Sequence, residues 1–294
     1  MNGSQKTYLR VAALVALSSL MLFAQACNDS SFGSSRANGP SPSLKPDGKS
    51  TPPEGGSSGG PQPPPPVVHP PFVEAGKSFD LYVVMDKSGS LYVEPETQVP
   101  NTGSDVACKR FDALLDLTDS LRSKLNSSER VRLSVITFSK DSSVLGVVDH
   151  AMAKSRAQLS QLFRAGVCDN PDYETTNYER GISALLQTHQ INTKSSREKL
   201  QIESVIFFSD GAAKDTDVHL LAQSINNLNS AFPSRVYGVL LGKTLDQCVL
   251  TDMFGRNLST RECLLKVVGN EPAKLIGVED ANGLSAAWSD LVNK

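Results

Sequence analysis

The sequence predicts an α/β fold built on a largely parallel sheet. Three observations point there: from about residue 76 short apolar runs alternate with stretches of helical spacing, several of the runs are apolar almost throughout, and no segment repeats another. Runs without polar alternation suit central strands covered on both faces. Taken in order, residues 79–85 form the first run, and Phe111, Leu114, Leu115, Leu121 and Leu125 the first helical stripe. Residues 130–138 and 144–148 are two further strands around the polar turn Ser139-Lys140-Asp141. Tyr178, Ile182, Leu185 and Leu186 mark a second helix, 205–208 the next buried strand, and Val218, Leu221, Ala222, Ile225 and Leu228 a third helix. Residues 236–241 and 275–278 complete six strands, and Leu284, Ala287, Trp288 and Leu291 a terminal helix. These stripes are core positions, with no cofactor assigned to them. Residues 246–272 are longer than a simple connection and are expected only to make an excursion closed by a disulfide.

The rest of the 294 residues is not material for a core. Residues 1–26 carry Lys6 and Arg10, then an apolar stretch at 11–23 and small residues, which is a secretory signal pattern. A stretch of 13 residues is short of the roughly 20 that span a bilayer as a helix. Ala24-Gln25-Ala26 suits an ordinary signal peptidase, while Ala26 followed by Cys27 resembles the bacterial lipobox, apart from Ala24 where Leu is usual. The two outcomes differ in whether Cys27 carries a lipid that holds the chain to a membrane of the bacterial envelope, on its periplasmic face or at the cell surface. Residues 27–75 hold most of the proline, 12 of 17 falling between Asn28 and Pro71, and form a Ser/Gly/Pro-rich spacer. Residues 76–294 are left as one globular domain, large enough to bury its own core.

Composition excludes several function classes. A net charge of −2 from 29 Lys plus Arg and 31 Asp plus Glu, with no long basic run, argues against nucleic-acid binding. Four histidines and five cysteines without CxxC or HExxH leave little for a closed zinc site or a redox dithiol. With Cys27 lipidated, Cys108, Cys168, Cys248 and Cys263 form an even set in an oxidising compartment. Three pairings are open, as are free buried thiols. Cys248 with Cys263 closes a short loop worth about 3 kcal/mol in the chain-entropy description, which leaves Cys108 with Cys168.

In open α/β sheets the working site lies at the carboxyl ends of the strands. After the first strand stands Asp86-Lys87-Ser88-Gly89-Ser90, whose carboxylate and hydroxyls at alternating positions can converge as hard oxygen donors for Mg²⁺, Mn²⁺ or Ca²⁺, though an ordinary Asx turn reads the same way. After the fourth strand stands Ser209-Asp210-Gly211, a carboxylate that is also an ordinary turn. Before the second helix stands Thr175-Thr176-Asn177-Tyr178-Glu179, where Thr176 and Glu179 make a capping box.

Together these residues resemble the von Willebrand factor type A domain and its metal-ion-dependent adhesion site. The family's Asp-x-Ser-x-Ser falls on Asp86, Ser88 and Ser90, its loop threonine on Thr176 and its strand-ending Asp-Gly on Asp210-Gly211, a likeness extending over roughly 77–294. The resemblance implies a doubly wound sheet of six strands, mostly parallel, with helices on both faces and one antiparallel edge strand, here 144–148. It further implies that Ser88, Ser90 and Thr176 bind a divalent cation, that Asp86 and Asp210 bind it directly or through water, and that an open coordination position captures an Asp or Glu of a protein or peptide partner. The expected function is therefore an envelope-anchored, cation-dependent adhesion or receptor module, not an enzyme. A scaffold subunit of an envelope or secretion assembly is the alternative. A Mg²⁺-dependent phosphatase is less favoured, because Ser88 stands where a nucleophilic Asp86 would need an acid–base carboxylate. One departure from the family is residues 91–104, with Glu94, Pro95, Glu96 and Pro100, which reads equally as a ligand-selecting loop or as a neutral insertion. Cys108 and Cys168 would staple the rim of the site.

Overall fold

The computed structural model describes residues 72, 74, 77–93, 99, 101–125, 130–169, 175–195, 202–211, 213–214, 216–242, 247–252 and 254–293. The signal pattern, Cys27 and the spacer as far as Pro71, as well as Glu94 and Glu96, lie outside them.

The chain runs through β1 (Phe79–Asp86), α1 (Lys109–Lys124), β2 (Val131–Phe138), β3 (Ser142–Val148), α2 (Arg156–Cys168), α3 (Tyr178–Ser195), β4 (Ile202–Ser209), α4 (Val218–Ala231), β5 (Val236–Leu241), β6 (Gln247–Thr251), β7 (Asn257–Ser259), α5 (Thr260–Val267), β8 (Leu275–Val278) and α6 (Leu284–Asn293). Six strands form one sheet in the order β3-β2-β1-β4-β5-β8. All neighbours are parallel except β2 and β3, so β3 is the antiparallel edge. The excursion after β5 is closed by the Cys248–Cys263 disulfide, as expected, and adds elements the sequence did not announce. It holds a separate antiparallel pair, β6 with β7, followed by the helix α5.

Helices cover both faces, which the residues of β1 show by their alternation. Phe79, Leu81, Val83 and Met85 enter a core with α1, α2 and α6, where Trp288 is fully buried. Tyr82 and Val84 enter the other, with α3, α4 and α5. Packing begins upstream of residue 76: Phe72 is buried edge-on against Phe79 and Tyr237, and Glu74 pairs with Arg235 at 2.9 Å. The run 79–85 also contains a buried polar residue, Asp80, whose carboxylate is held by Arg132 Nε at 2.9 Å and by Tyr82 Oη at 3.0 Å.

The chain leaves β1 toward β2 and β3 on one side, then returns to place β4 on the other. The order therefore reverses between β1 and β4, whose register pairs Met85 with Phe208. At such a reversal the loops diverge and leave a crevice beyond the carboxyl ends of the strands. Asp86 and Ser209 are the last residues of these two strands.

Candidate metal centre

Asp86 is fully buried because β1 is flanked by strands on both sides and covered on both faces. Its Oδ1 accepts the backbone N–H of Ser88 at 2.8 Å, and its Oδ2 accepts the Ser209 hydroxyl. The chain then tightens into a 3₁₀ turn over Gly89–Leu91. This turn brings Ser88 Oγ within 3.1 Å of Ser90 Oγ, and Ser90 donates to Asp210 Oδ1 at 2.8 Å. The string that leaves β1 and the carboxylate that follows β4 thus meet through Ser90.

Thr176 arrives from the loop before α3. A Cβ built on Gly211 would stand 3.1 Å from Thr176 Oγ1 and 3.6 Å from Ser90 Oγ, so both hydroxyls crowd onto the one residue that lacks a side chain. The loops are fixed around that approach: Tyr178 Oη donates to the Gly211 carbonyl at 2.6 Å and Lys214 N–H to the Thr176 carbonyl at 3.1 Å. The expected capping box of Thr176 and Glu179 is not what caps α3. Asn177 does this, accepting the Arg180 N–H at 3.3 Å, while Glu179 accepts the Ser183 hydroxyl at 2.7 Å. Asn177 lies one residue nearer the helix and its amide oxygen reaches the orphan N–H, so Thr176 is turned toward Gly211.

Asp86, Ser88, Ser90, Thr176 and Asp210 therefore lie around one end of the sheet, with Ser90 the most open to solvent. Burial raises the Asp86 carboxyl above the usual range, against hydrogen bonds from Ser209 and Ser88. Burial and the negative charge of Asp86 push Asp210 up to about 7. Two buried carboxyls that repel each other, beside small hydroxyls, fit a divalent hard cation. Among the described residues no three His, Cys, Asp or Glu side chains cluster as a metal site, so hydroxyls would have to complete the donor set.

The sign of the pH dependence follows from the Asp210 shift. Its folded value lies above its unfolded one, so its contribution to stability is full below about pH 4 and is lost as pH rises through about 7. In chelator, the melting temperature is expected to fall between pH 5 and pH 8 by an amount that shrinks in Asp210→Asn. A divalent cation that binds beside Asp210 should restore more at pH 8 than at pH 5. Equal pH profiles for the two proteins in thermal melts would contradict this.

The von Willebrand factor type A family model matches residues 80–260, more than half of the chain and all five of these positions. The chain belongs to that family. Comparison with curated proteins gives no match. Among solved structures, proximal thread matrix protein 1 from the mussel byssus aligns at 13% identity with TM-score 0.51, over 74% of this chain and 48% of that one. The manganese-loaded TRAP protein of Plasmodium vivax aligns at 19% identity with TM-score 0.46, over 74% of each chain. The von Willebrand domain of the type V pili tip protein Mfa5 from Porphyromonas gingivalis aligns at 11% identity with TM-score 0.47, over 74% of this chain and 94% of that one. The chain spans a little under half the length of the mussel protein, with which it shares the fold.

This von Willebrand A domain also brings to the centre residues that the motif does not name. Ser209 is one; it stands beside Asp210 in the sequence, and its place at the inner end of β4 aims its hydroxyl at Asp86. Ser104 is another, donating from the end of the insertion to Asp210 Oδ2. Behind them Arg110 and Asp105, both fully buried, pair at 2.7 Å. Cys108 and Cys168 are joined, and so are Cys248 and Cys263. The first bond ties the residue before α1 to the last residue of α2.

Proposed function

We propose that this von Willebrand A domain is a divalent-cation-dependent protein-binding module that captures a carboxylate of a protein or peptide partner, and that it is no enzyme. The observation that carries the reading is the meeting of two buried carboxylates, at the end of β1 and just after β4, with the hydroxyls of Ser88, Ser90 and Thr176. These five residues would hold the ion, Mg²⁺ or Mn²⁺ before Ca²⁺. A bound cation would supply a Lewis-acidic point for one carboxylate oxygen of the partner. Ser88 and Ser90 present neutral donors, so within the five-residue donor set the negative charge comes from Asp86 and Asp210. Ser90, the least buried of the five, sets where the partner approaches. Against catalysis stands Ser88, whose N–H is spent on Asp86 Oδ1 and whose hydroxyl faces Ser90, leaving no acid–base group at that position.

Export and lipid anchoring at Cys27 belong to the same proposal. They rest on the signal pattern of residues 1–26 and on the two disulfides, which suit an oxidising compartment. Among the described residues no helix is long and apolar enough to cross a membrane.

Calorimetry with Mg²⁺ and Mn²⁺ tests the centre. Asp86→Ala and Asp210→Ala are expected to abolish uptake while the cation-free proteins remain folded, since each change removes one of two buried carboxyls that repel. Unchanged uptake in both variants would sink the proposed site. For the anchor, Cys27→Ser should move the protein out of the membrane fraction.

A further inference from the structure

We propose that Ser104, supplied by the insertion after β1, is a positioning residue of the metal centre that makes it selective for Mg²⁺ and Mn²⁺ over Ca²⁺. The proposal rests on the metal-site reading above. The insertion returns to the centre along a built path. Ser104 N–H donates to the Ser90 carbonyl at 3.1 Å and Asp105 N–H to the Leu91 carbonyl at 2.9 Å, which lays the returning chain against the 3₁₀ turn that carries Ser90. Gly103 makes this approach possible. A Cβ there would fall 2.3 Å from the Tyr92 nitrogen and 2.4 Å from the Leu91 carbonyl carbon. The next residue, Asp105, is anchored in turn by Arg110 at 2.7 Å.

The consequence falls on Asp210. Ser90 donates to its Oδ1 at 2.8 Å and Ser104 to its Oδ2, so each oxygen of one carboxylate receives a hydroxyl, one from each end of the insertion. Two such bonds fix the plane of the carboxylate. Mg²⁺ demands near-ideal octahedral geometry at about 2.0–2.1 Å, whereas Ca²⁺ accepts six to eight oxygens at about 2.3–2.6 Å in flexible arrangements. A carboxylate that cannot swing favours the smaller ion, and Mn²⁺ shares the preference for octahedral oxygen sites. Removing the Ser104 hydroxyl takes one donor from Oδ2 and loosens the hold on the carboxylate plane, which costs the octahedral ions part of their preorganisation and costs Ca²⁺ little. The insertion is then a working part of the centre and not a neutral extension.

The test is calorimetric titration of the purified protein with Mn²⁺ and, separately, Ca²⁺. Ser104→Ala is expected to weaken Mn²⁺ roughly fivefold, the scale of one hydrogen bond, with Ca²⁺ changed less than about twofold. Ser104→Thr, which keeps the hydroxyl, should restore the wild-type ratio of the two affinities. A loss of fold would lower both affinities together, so the ratio separates positioning from damage. A wild-type ratio in Ser104→Ala overturns the role of Ser104 while leaving the metal site standing. Failure of the wild-type protein to take up Mn²⁺ overturns both.

Discussion

Asp105→Ala is expected to destabilise the domain by about 3–5 kcal/mol, the cost of leaving one partner of a buried ion pair alone. Asp105 and Arg110 are each fully buried, with Arg110 Nη1 at 2.7 Å from Asp105 Oδ2. Arg110 also donates to the Val167 carbonyl at 2.8 Å and to Tyr92 Oη, so it cannot follow a lost carboxylate out to water without breaking the link between the insertion and α2. The same carboxylate starts α1, accepting the N–H groups of Lys109 at 2.6 Å and Arg110 at 3.1 Å. Asp105→Asn separates the two roles, because an amide oxygen still caps the helix but brings no charge to Arg110. It should lie between the wild type and Asp105→Ala in urea unfolding. Asp105→Ala combined with Arg110→Met should recover much of the loss, since the orphaned cation is gone. Equal stability of Asp105→Ala and wild type would show that the pair is not desolvated.

The sheet was legible because its strands and helices carry local signals of the right period, whereas the five oxygen-bearing residues were singled out as a set by the resemblance to the family. All eight residues of β1 and of β2 are buried, which the apolar majority of each run announces, although Asp80, Arg132, Ser134 and Thr137 are buried with them. The candidate donors sit where strands end, so the position of the strands already locates Asp86 and Asp210. The helix α2 was missed for a physical reason: it buries only Leu159, Phe163 and Val167, one residue per turn, while Leu162 is exposed and blurs the stripe. Its capping box of Ser155 and Gln158 was the available signal, as was that of Ser259 and Glu262 for α5. The same logic misled at Thr176, where a capping-box spacing is present but Asn177 supplies the cap. Ser104 and Arg110 had no such signal. Their roles depend on how the insertion returns to Ser90 and on the end of α2 lying beside Tyr92, both of which are contacts between distant parts of the chain.

Replacing Cys108 and Cys168 by serine is expected to cost about 4 kcal/mol, against about 3 kcal/mol for Cys248 and Cys263, because the bond over a separation of 60 residues restrains the unfolded chain more than the bond over 15. The longer bond shares its neighbourhood with the Arg110 network. Arg110 reaches the Val167 carbonyl and Tyr92 Oη the Cys168 carbonyl at 3.1 Å, so the elements joined by the bond are also joined by buried hydrogen bonds. Once the chain has folded, those contacts hold the end of α2 against the insertion with or without the sulfurs. The loss should therefore come mostly from the greater freedom of the unfolded state, and cation affinity should fall far less than stability. Combining the serine changes with Asp105→Ala discriminates further. Two ties across one rim are expected to couple, and a double-mutant cycle should give an interaction energy of about 0.5–3 kcal/mol in urea unfolding. Strict additivity would mean that the disulfide and the ion pair secure separate parts of the fold, and a larger loss from the Cys248 and Cys263 replacement would contradict the loop-length account.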